Sequence, residues 1–148
     1  MRKIKYIIVH HSGRDGSTVE SIRRTHQLQF KWFDIGYHRV VYDDGTVHRG
    51  RPDEKPGAHV AGFNRESMGV CLSGNLNKRP PAAAQYAKLI DELVDLCFWH
   101  SLPADAVLGH RETRTLVPKR LATRKSCPGL FVDMDQVRAD VAARMGAR

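Results

Sequence analysis

The stretch that most constrains this chain is Tyr6-Ile7-Ile8-Val9-His10-His11, in which three contiguous β-branched residues run straight into two histidines. β-Branched side chains are stiff and favour extended backbone, and an uninterrupted apolar run describes a strand covered on both faces. Residues 5–11 are therefore read as a buried strand that ends in a pair of imidazoles. Strand alternation sends His10 and His11 to opposite faces, so only one of them can point into any one site.

The rest of the chain alternates strand and helix signals. Ser17-Thr18-Val19-Glu20 has the form of a capping box, with Ser17 as the cap and Glu20 reaching back, and predicts a helix to about Gln29. Trp32 and Phe33 are expected to pack beneath the loop that follows. Residues 37–42, the turn Asp43-Asp44-Gly45 and residues 46–49 read as a β-hairpin whose first strand opens at Tyr37. A loop rich in Pro and Gly, residues 51–62, separates it from a second buried strand at 67–73, and loops of that length are often functional. Pro81 precedes a helix to about His100, with Tyr86, Leu89, Ile90, Leu93, Val94 and Cys97 forming its apolar stripe. Residues 106–109 make a short strand feeding His110, residues 111–126 a long basic loop, and a last helix starts at Asp133 or Asp135 and runs to about Met145. The fold class is α/β, with a central mixed, mostly parallel sheet of about five strands flanked by about three helices.

At 148 residues with 41% hydrophobic content, one domain over 1–148 with a real core is expected, with no second module. The apolar runs all fall short of the roughly 20 residues of a membrane span, and the basic start has no small-residue cleavage site behind it. Neither signal peptide nor anchor is expected, and synthesis is assigned to the cytoplasm. Cys71, Cys97 and Cys127 contain no CxxC pair, which argues against a disulfide framework and against a self-contained zinc knuckle. Cys71 and Cys97 lie inside apolar patterns and read as inert core, whereas Cys127 lies in a loop before Pro128-Gly129. Twenty-four Lys and Arg against 16 Asp and Glu give +8, a surface that attracts anionic polymers. Nucleic acid is the less favoured of these, since no recognised binding module accompanies the charge.

Two imidazoles and one thiolate form a complete set of three protein ligands for a catalytic zinc whose fourth position stays open to water. His10 and His110 each end a predicted strand, and ligand sites gather at the carboxyl ends of parallel strands. A histidine at a strand end is more often a hydrogen-bonded structural residue, so the spacing of His10, His110 and Cys127 decides nothing by itself.

The segments "IIVHHS", "FDIGYHRVVYDDGTVHRGR", "GAHVAGFNRESMGVCLSG", "GHRE" and "KSCPG", in that order, make most of the chain resemble the zinc-dependent N-acetylmuramoyl-L-alanine amidases. That type-2 amidase family also includes the peptidoglycan recognition proteins; the resemblance is strongest to its small phage lysozymes, which carry no separate cell-wall-binding module. It implies one Zn2+ per chain on His10, His110 and Cys127, favouring His10 over His11, with Tyr37 and Lys125 as catalytic residues. His59 and Asn64 fall on pocket positions that contact substrate or hold the loop. Glu112 is left as a partner to the ligands or to neighbouring arginines rather than a catalytic base. The implied activity is hydrolysis of the amide between the lactyl group of N-acetylmuramic acid and L-alanine in peptidoglycan, by a monomeric phage endolysin that meets the wall after membrane disruption or external release. The basic loop, residues 111–125, would gather anionic envelope polymers. A cytosolic amidase recycling muropeptides and a non-catalytic peptidoglycan-binding domain are the alternatives.

Overall fold

The β-branched run does become an interior strand. In a computed structural model that describes residues 2–147, the elements follow as β1 (Tyr6–His11), α1 (Val19–Gln29), β2 (Arg39–Val41), β3 (Val47–Arg49), β4 (Ser67–Leu72), α2 (Ala83–Trp99), β5 (Val107–Gly109) and α3 (Met134–Gly146). The sheet order is β3-β2-β4-β1-β5. β1 runs parallel to β4 and β5, β2 runs parallel to β4, and only the β2–β3 hairpin is antiparallel. This is the mixed, mostly parallel sheet that the sequence predicts.

Two cores explain why β1 and β4 are apolar on both faces. Ile7, Val9, Met68, Val70 and Leu72 point to the side covered by α2 and α3, where Leu89, Leu93, Val137 and Val141 meet them. On the other side Val40 and Cys71 pack with Ile35 against Val19 and Ile22 of α1. Because β1 and β4 are in parallel register with His10 opposite Cys71, these two side chains share the α1 face. No helix among the described residues is long and apolar enough to cross a membrane.

Several local expectations shift by a residue or two. The cap of α1 is Thr18, whose hydroxyl accepts from the Ser21 amide while Ser21 Oγ accepts from the Thr18 amide. Ser17 instead donates to the Arg14 carbonyl, so the capping box is real but one position later. The hairpin strand opens at Arg39 rather than Tyr37, although Gly50 and Arg51 still donate backbone hydrogen bonds to the carbonyls of His38 and Tyr37. Phe33 does not pack beneath a loop. It is 73% exposed, with Arg51 and Lys55 over its ring, while Trp32 stacks on Phe30. The basic loop contains two short 3-10 turns, at His110–Thr115 and Lys119–Leu121.

His38, expected on the far side from Tyr37, is a fully buried structural histidine. Its Nδ1 accepts from the Gly69 amide at 3.0 Å, and Nε2 donates to the Lys55 carbonyl at 2.9 Å. Burial, with Arg2 and Arg39 nearby, lowers its pKa to about 4, although the Lys55 carbonyl and Asp53 pull the other way. The unfolded chain would titrate near 6.5. Stability from the neutral ring is therefore complete above about pH 6.5 and is lost as pH falls to about 4, a contribution on the order of 3 kcal/mol. Urea unfolding in chelator at pH 7 and pH 4.5 should show a steep acid loss, and His38→Gln should flatten it; an unchanged slope in that variant would remove His38 from the account.

Candidate metal centre

The site forms where β1 and β5 end. β1 delivers His10, which is 1% exposed, to the α1 face, and the chain turns directly out of β5 into His110. Cys127 arrives from the loop before α3. One ligand atom from each of His10, His110 and Cys127 lies within 4.8 Å of the others, a group that can hold a metal ion. Cys127 Sγ is 3.6 Å from His10 Nδ1, and the rings of His10 and His110 have centroids 4.7 Å apart. His11 points away: its Nδ1 accepts from the Leu76 amide at 3.0 Å, on the other face of the sheet.

The electrostatics favour neutral imidazoles. Burial, then the neighbouring histidines, holds His10 well below its ordinary pKa. His110 is lowered to about 4 by burial and by the charges of Lys125 and Arg114. Burial pushes the Cys127 thiol up to about 11, against a pull from the His11 amide, Lys125 and Arg111. That amide donates to Cys127 Sγ at 3.4 Å, a bond that strengthens once the sulfur is anionic. The cluster thus offers two free nitrogen lone pairs at neutral pH and a thiol that a metal must deprotonate to bind.

The turn that carries His110 is clamped from α3. Glu112 accepts from the Gly109 amide at 2.8 Å, and its carboxylate takes both arms of Arg138 at 2.7 and 2.8 Å. Burial alone would raise its pKa, but Arg138 and the Gly109 amide hold it below the ordinary range. Its partner is thus Arg138 rather than the adjacent arginines. Arg111 is spent on the backbone, donating to the carbonyls of Ser126, Gly129 and Val132, and Arg114 donates to those of Thr123 and Lys125.

A match over residues 1–130 to the N-acetylmuramoyl-L-alanine amidase family covers every one of these side chains except Arg138. The chain belongs to that family. Within the amidase family it is 41% identical to the endolysin of Klebsiella phage KP32 over 68 residues, 46% of this chain and 44% of that protein. The aligned part thus spans under half of the phage relative. Among solved structures, the N-acetylmuramoyl-L-alanine amidase LysC from Clostridium intestinale superposes with a TM-score of 0.81 at 26% identity, covering 95% of this chain and 86% of the other. The Ph2119 endolysin from a Thermus scotoductus bacteriophage superposes with a TM-score of 0.77 at 25% identity, covering 95% and 86%.

The other residues singled out from the sequence fall around this cluster. The Tyr37 ring lies 5.0 Å from that of His10, and burial, then the Cys71 and Cys127 sulfurs, holds its phenol well above the ordinary pKa. Cys71, which reads as inert core, is buried against this phenol, a contact that linear patterning could not reveal. His26 of α1 accepts from the Gly36 amide at 3.0 Å and packs beside Tyr37, steadying the segment that presents it. Lys125 is exposed, and its charge reaches His110, His11 and Cys127. Asn64 Oδ1 accepts from the amides of His59 and Val60, so its carboxamide oxygen holds the loop. His59 faces His10, Nδ1 to Nε2 at 2.8 Å.

A groove of about 460 Å³, lined by Ser12, Arg14, Ser21, Arg24, His26 and Tyr37 among others, lies along α1 and meets the residues of this centre at Tyr37. A larger cleft of about 680 Å³ lies near the start of β2, lined by Arg2, Arg39, Asp53, Glu92 and Trp99 among others. Neither cavity is lined by His10, His110 or Cys127, but the smaller one includes Tyr37, so size is a poor guide to the chemistry here.

Proposed function

We propose that this chain is a zinc-dependent N-acetylmuramoyl-L-alanine amidase of the endolysin type, hydrolysing the amide between the lactyl group of N-acetylmuramic acid and L-alanine of the stem peptide. The observation that carries the reading is the convergence of His10, His110 and Cys127 in a chain of this family. A tetrahedral zinc with bonds of about 2.0 Å to nitrogen and 2.3 Å to sulfur needs a nitrogen–sulfur edge of about 3.5 Å. The His10 Nδ1 to Cys127 Sγ distance is 3.6 Å. One such ion per chain fits two imidazoles and a thiolate while leaving a position open.

A zinc held by His10, His110 and Cys127 would supply Lewis acidity and make water at its open position acidic enough to ionise near neutrality. The chain's own groups handle the substrate. Tyr37 keeps its proton because burial raises its pKa, so its phenol is a hydrogen-bond donor toward the oxyanion that develops on the scissile carbonyl. The Lys125 ammonium adds positive charge at the same place from the exposed rim. Lys119, Arg120 and Arg124 are also exposed along this loop and would steer anionic stem peptides or envelope polymers toward the groove. Asn64, by pinning the loop after Gly57, shapes the wall that substrate meets.

The decisive assay is mass spectrometry of digested sacculi with and without chelator. New amino-terminal alanine on released peptides, lost with chelator, is the expected result; cleavage of a glycosidic or peptide cross-link, or indifference to chelator, would overturn the reading. Tyr37→Phe and Lys125→Ala should each lower turnover by about a hundredfold while zinc stoichiometry stays near one. Loss of zinc in either variant would make its role structural.

A further inference from the structure

The hydrogen bond between His10 and His59 belongs to a longer chain whose direction is set at its far end. His59 Nε2 is 3.2 Å from Ser67 Oγ, and Ser67 Oγ donates to the Phe63 carbonyl at 2.8 Å. A carbonyl can only accept, so the one hydroxyl hydrogen of Ser67 goes to Phe63. Ser67 must then accept from His59, which puts the hydrogen of that neutral ring on Nε2 and leaves Nδ1 bare. A bare Nδ1 at 2.8 Å can only accept, so His10 carries its hydrogen on Nε2. What remains on His10 is an unprotonated Nδ1, the atom that faces Cys127 Sγ at 3.6 Å.

The His59 ring is held in this position from several sides. A Cβ on Gly69 would lie 2.8 Å from His59 Cγ, and one on Gly57 would lie 2.7 Å from His59 Cδ2. The ring therefore lies against β4 where only glycine leaves room. Its backbone amide is fixed by Asn64 Oδ1 at 2.8 Å.

We infer that His59 is a positioning residue: with Ser67 and the Phe63 carbonyl it locks His10 as the Nε2–H tautomer and turns the Nδ1 lone pair toward the metal. The inference rests on the reading of His10 as a zinc ligand. It also gives His59 a task that does not require contact with substrate. Ligating histidines need a partner on the second ring nitrogen to fix tautomer and orientation, and losing that partner typically costs 10–100-fold in metal affinity or activity. Here the partner is a second imidazole, itself made an acceptor by a backbone carbonyl two links away.

The test has two readouts on the full chain. In metal-free wild-type protein, long-range 1H–15N correlation spectra should show both His10 and His59 as Nε2–H tautomers; an Nδ1–H form of either would overturn the inference. Zinc affinity, read by competition with a chromophoric chelator, should fall by about 10–100-fold in His59→Phe and in the same direction, by less, in Ser67→Ala. His59→Asn returns an acceptor oxygen near the Nδ1 position and should recover much of the loss, which a purely space-filling role would not predict. Undiminished affinity in His59→Phe would sink the proposal. Because the tautomer spectrum needs no metal, failure of wild-type protein to bind zinc would remove the ligand reading without deciding the hydrogen-bond chain, so the two fail separately.

Discussion

Cys127→Ala is expected to take bound zinc from near one per chain to near zero and to lower stem-peptide release from purified sacculi by more than about a hundredfold, since losing a mere partner of a ligand costs 10–100-fold. The thiol's pKa of about 11 in the metal-free protein means that its anion exists at neutral pH only when a cation displaces the proton. Among the described residues, His10, His110 and Cys127 are the one group of three such side chains that could hold a metal ion. The Cys71 thiol is buried against Tyr37 and raised well above its ordinary pKa by burial and by Cys127. Metal analysis of the purified variant and peptide release from sacculi check the two halves of this expectation. Full activity with alanine at 127 would refute the centre.

The second large effect concerns stability. Arg39 is 4% exposed, pairs with both carboxylate oxygens of Asp53 at 2.5 and 2.8 Å, and reaches Glu92 of α2 at 3.0 Å. Replacing Arg39 by alanine takes away the buried cation between Asp53 and Glu92 and leaves Asp53 only the exposed Arg49 at 3.5 Å. Removing one partner of a buried ion pair costs about 3–5 kcal/mol, most of it the penalty of the charges left behind. Denaturant unfolding should report that loss, while zinc stoichiometry in the folded protein stays near one, because Arg39 pairs with α2 on the face of the sheet opposite His10, with β4 between their strands. A cost below about 1 kcal/mol would mean that solvent already reaches the carboxylates. Arg39→Met with both acids also replaced by apolar residues should recover part of the loss.

How far the fold can be read along the chain depends on how local its cause is. The run Ile7-Ile8-Val9 predicts its own burial on two faces, and the apolar stripe from Leu89 to Cys97 predicts the face that α2 buries. Both are properties of neighbouring residues. The start of α1 was legible as a capping box but misplaced by one residue, since Ser17, Thr18 and Ser21 all carry hydroxyls and only the turn at Arg14 decides which one caps. Phe33 misled because an aromatic beside Trp32 reads as core, whereas the loop leaves it outside under two cations.

The candidate site divides in the same way. The identities of His10, His110 and Cys127, and the strand ends that carry two of them, lie in the linear sequence. That His10 rather than His11 turns inward follows from alternation only once it is known which face α1 covers.

The sequence alone determined the strands, the helices, the family and the types of ligand atom available, because these follow from periodicity, backbone preference and motif order over short stretches. Only the tertiary structure decided that Glu112 takes Arg138 of α3, that Cys71 rests on Tyr37, and that His59 leans on His10 above Gly69. The physical reason is that hydrogen bonds and ion pairs act over about 3 Å between groups that the chain separates by dozens of residues. Their direction is set by which atoms happen to be donors at the far end.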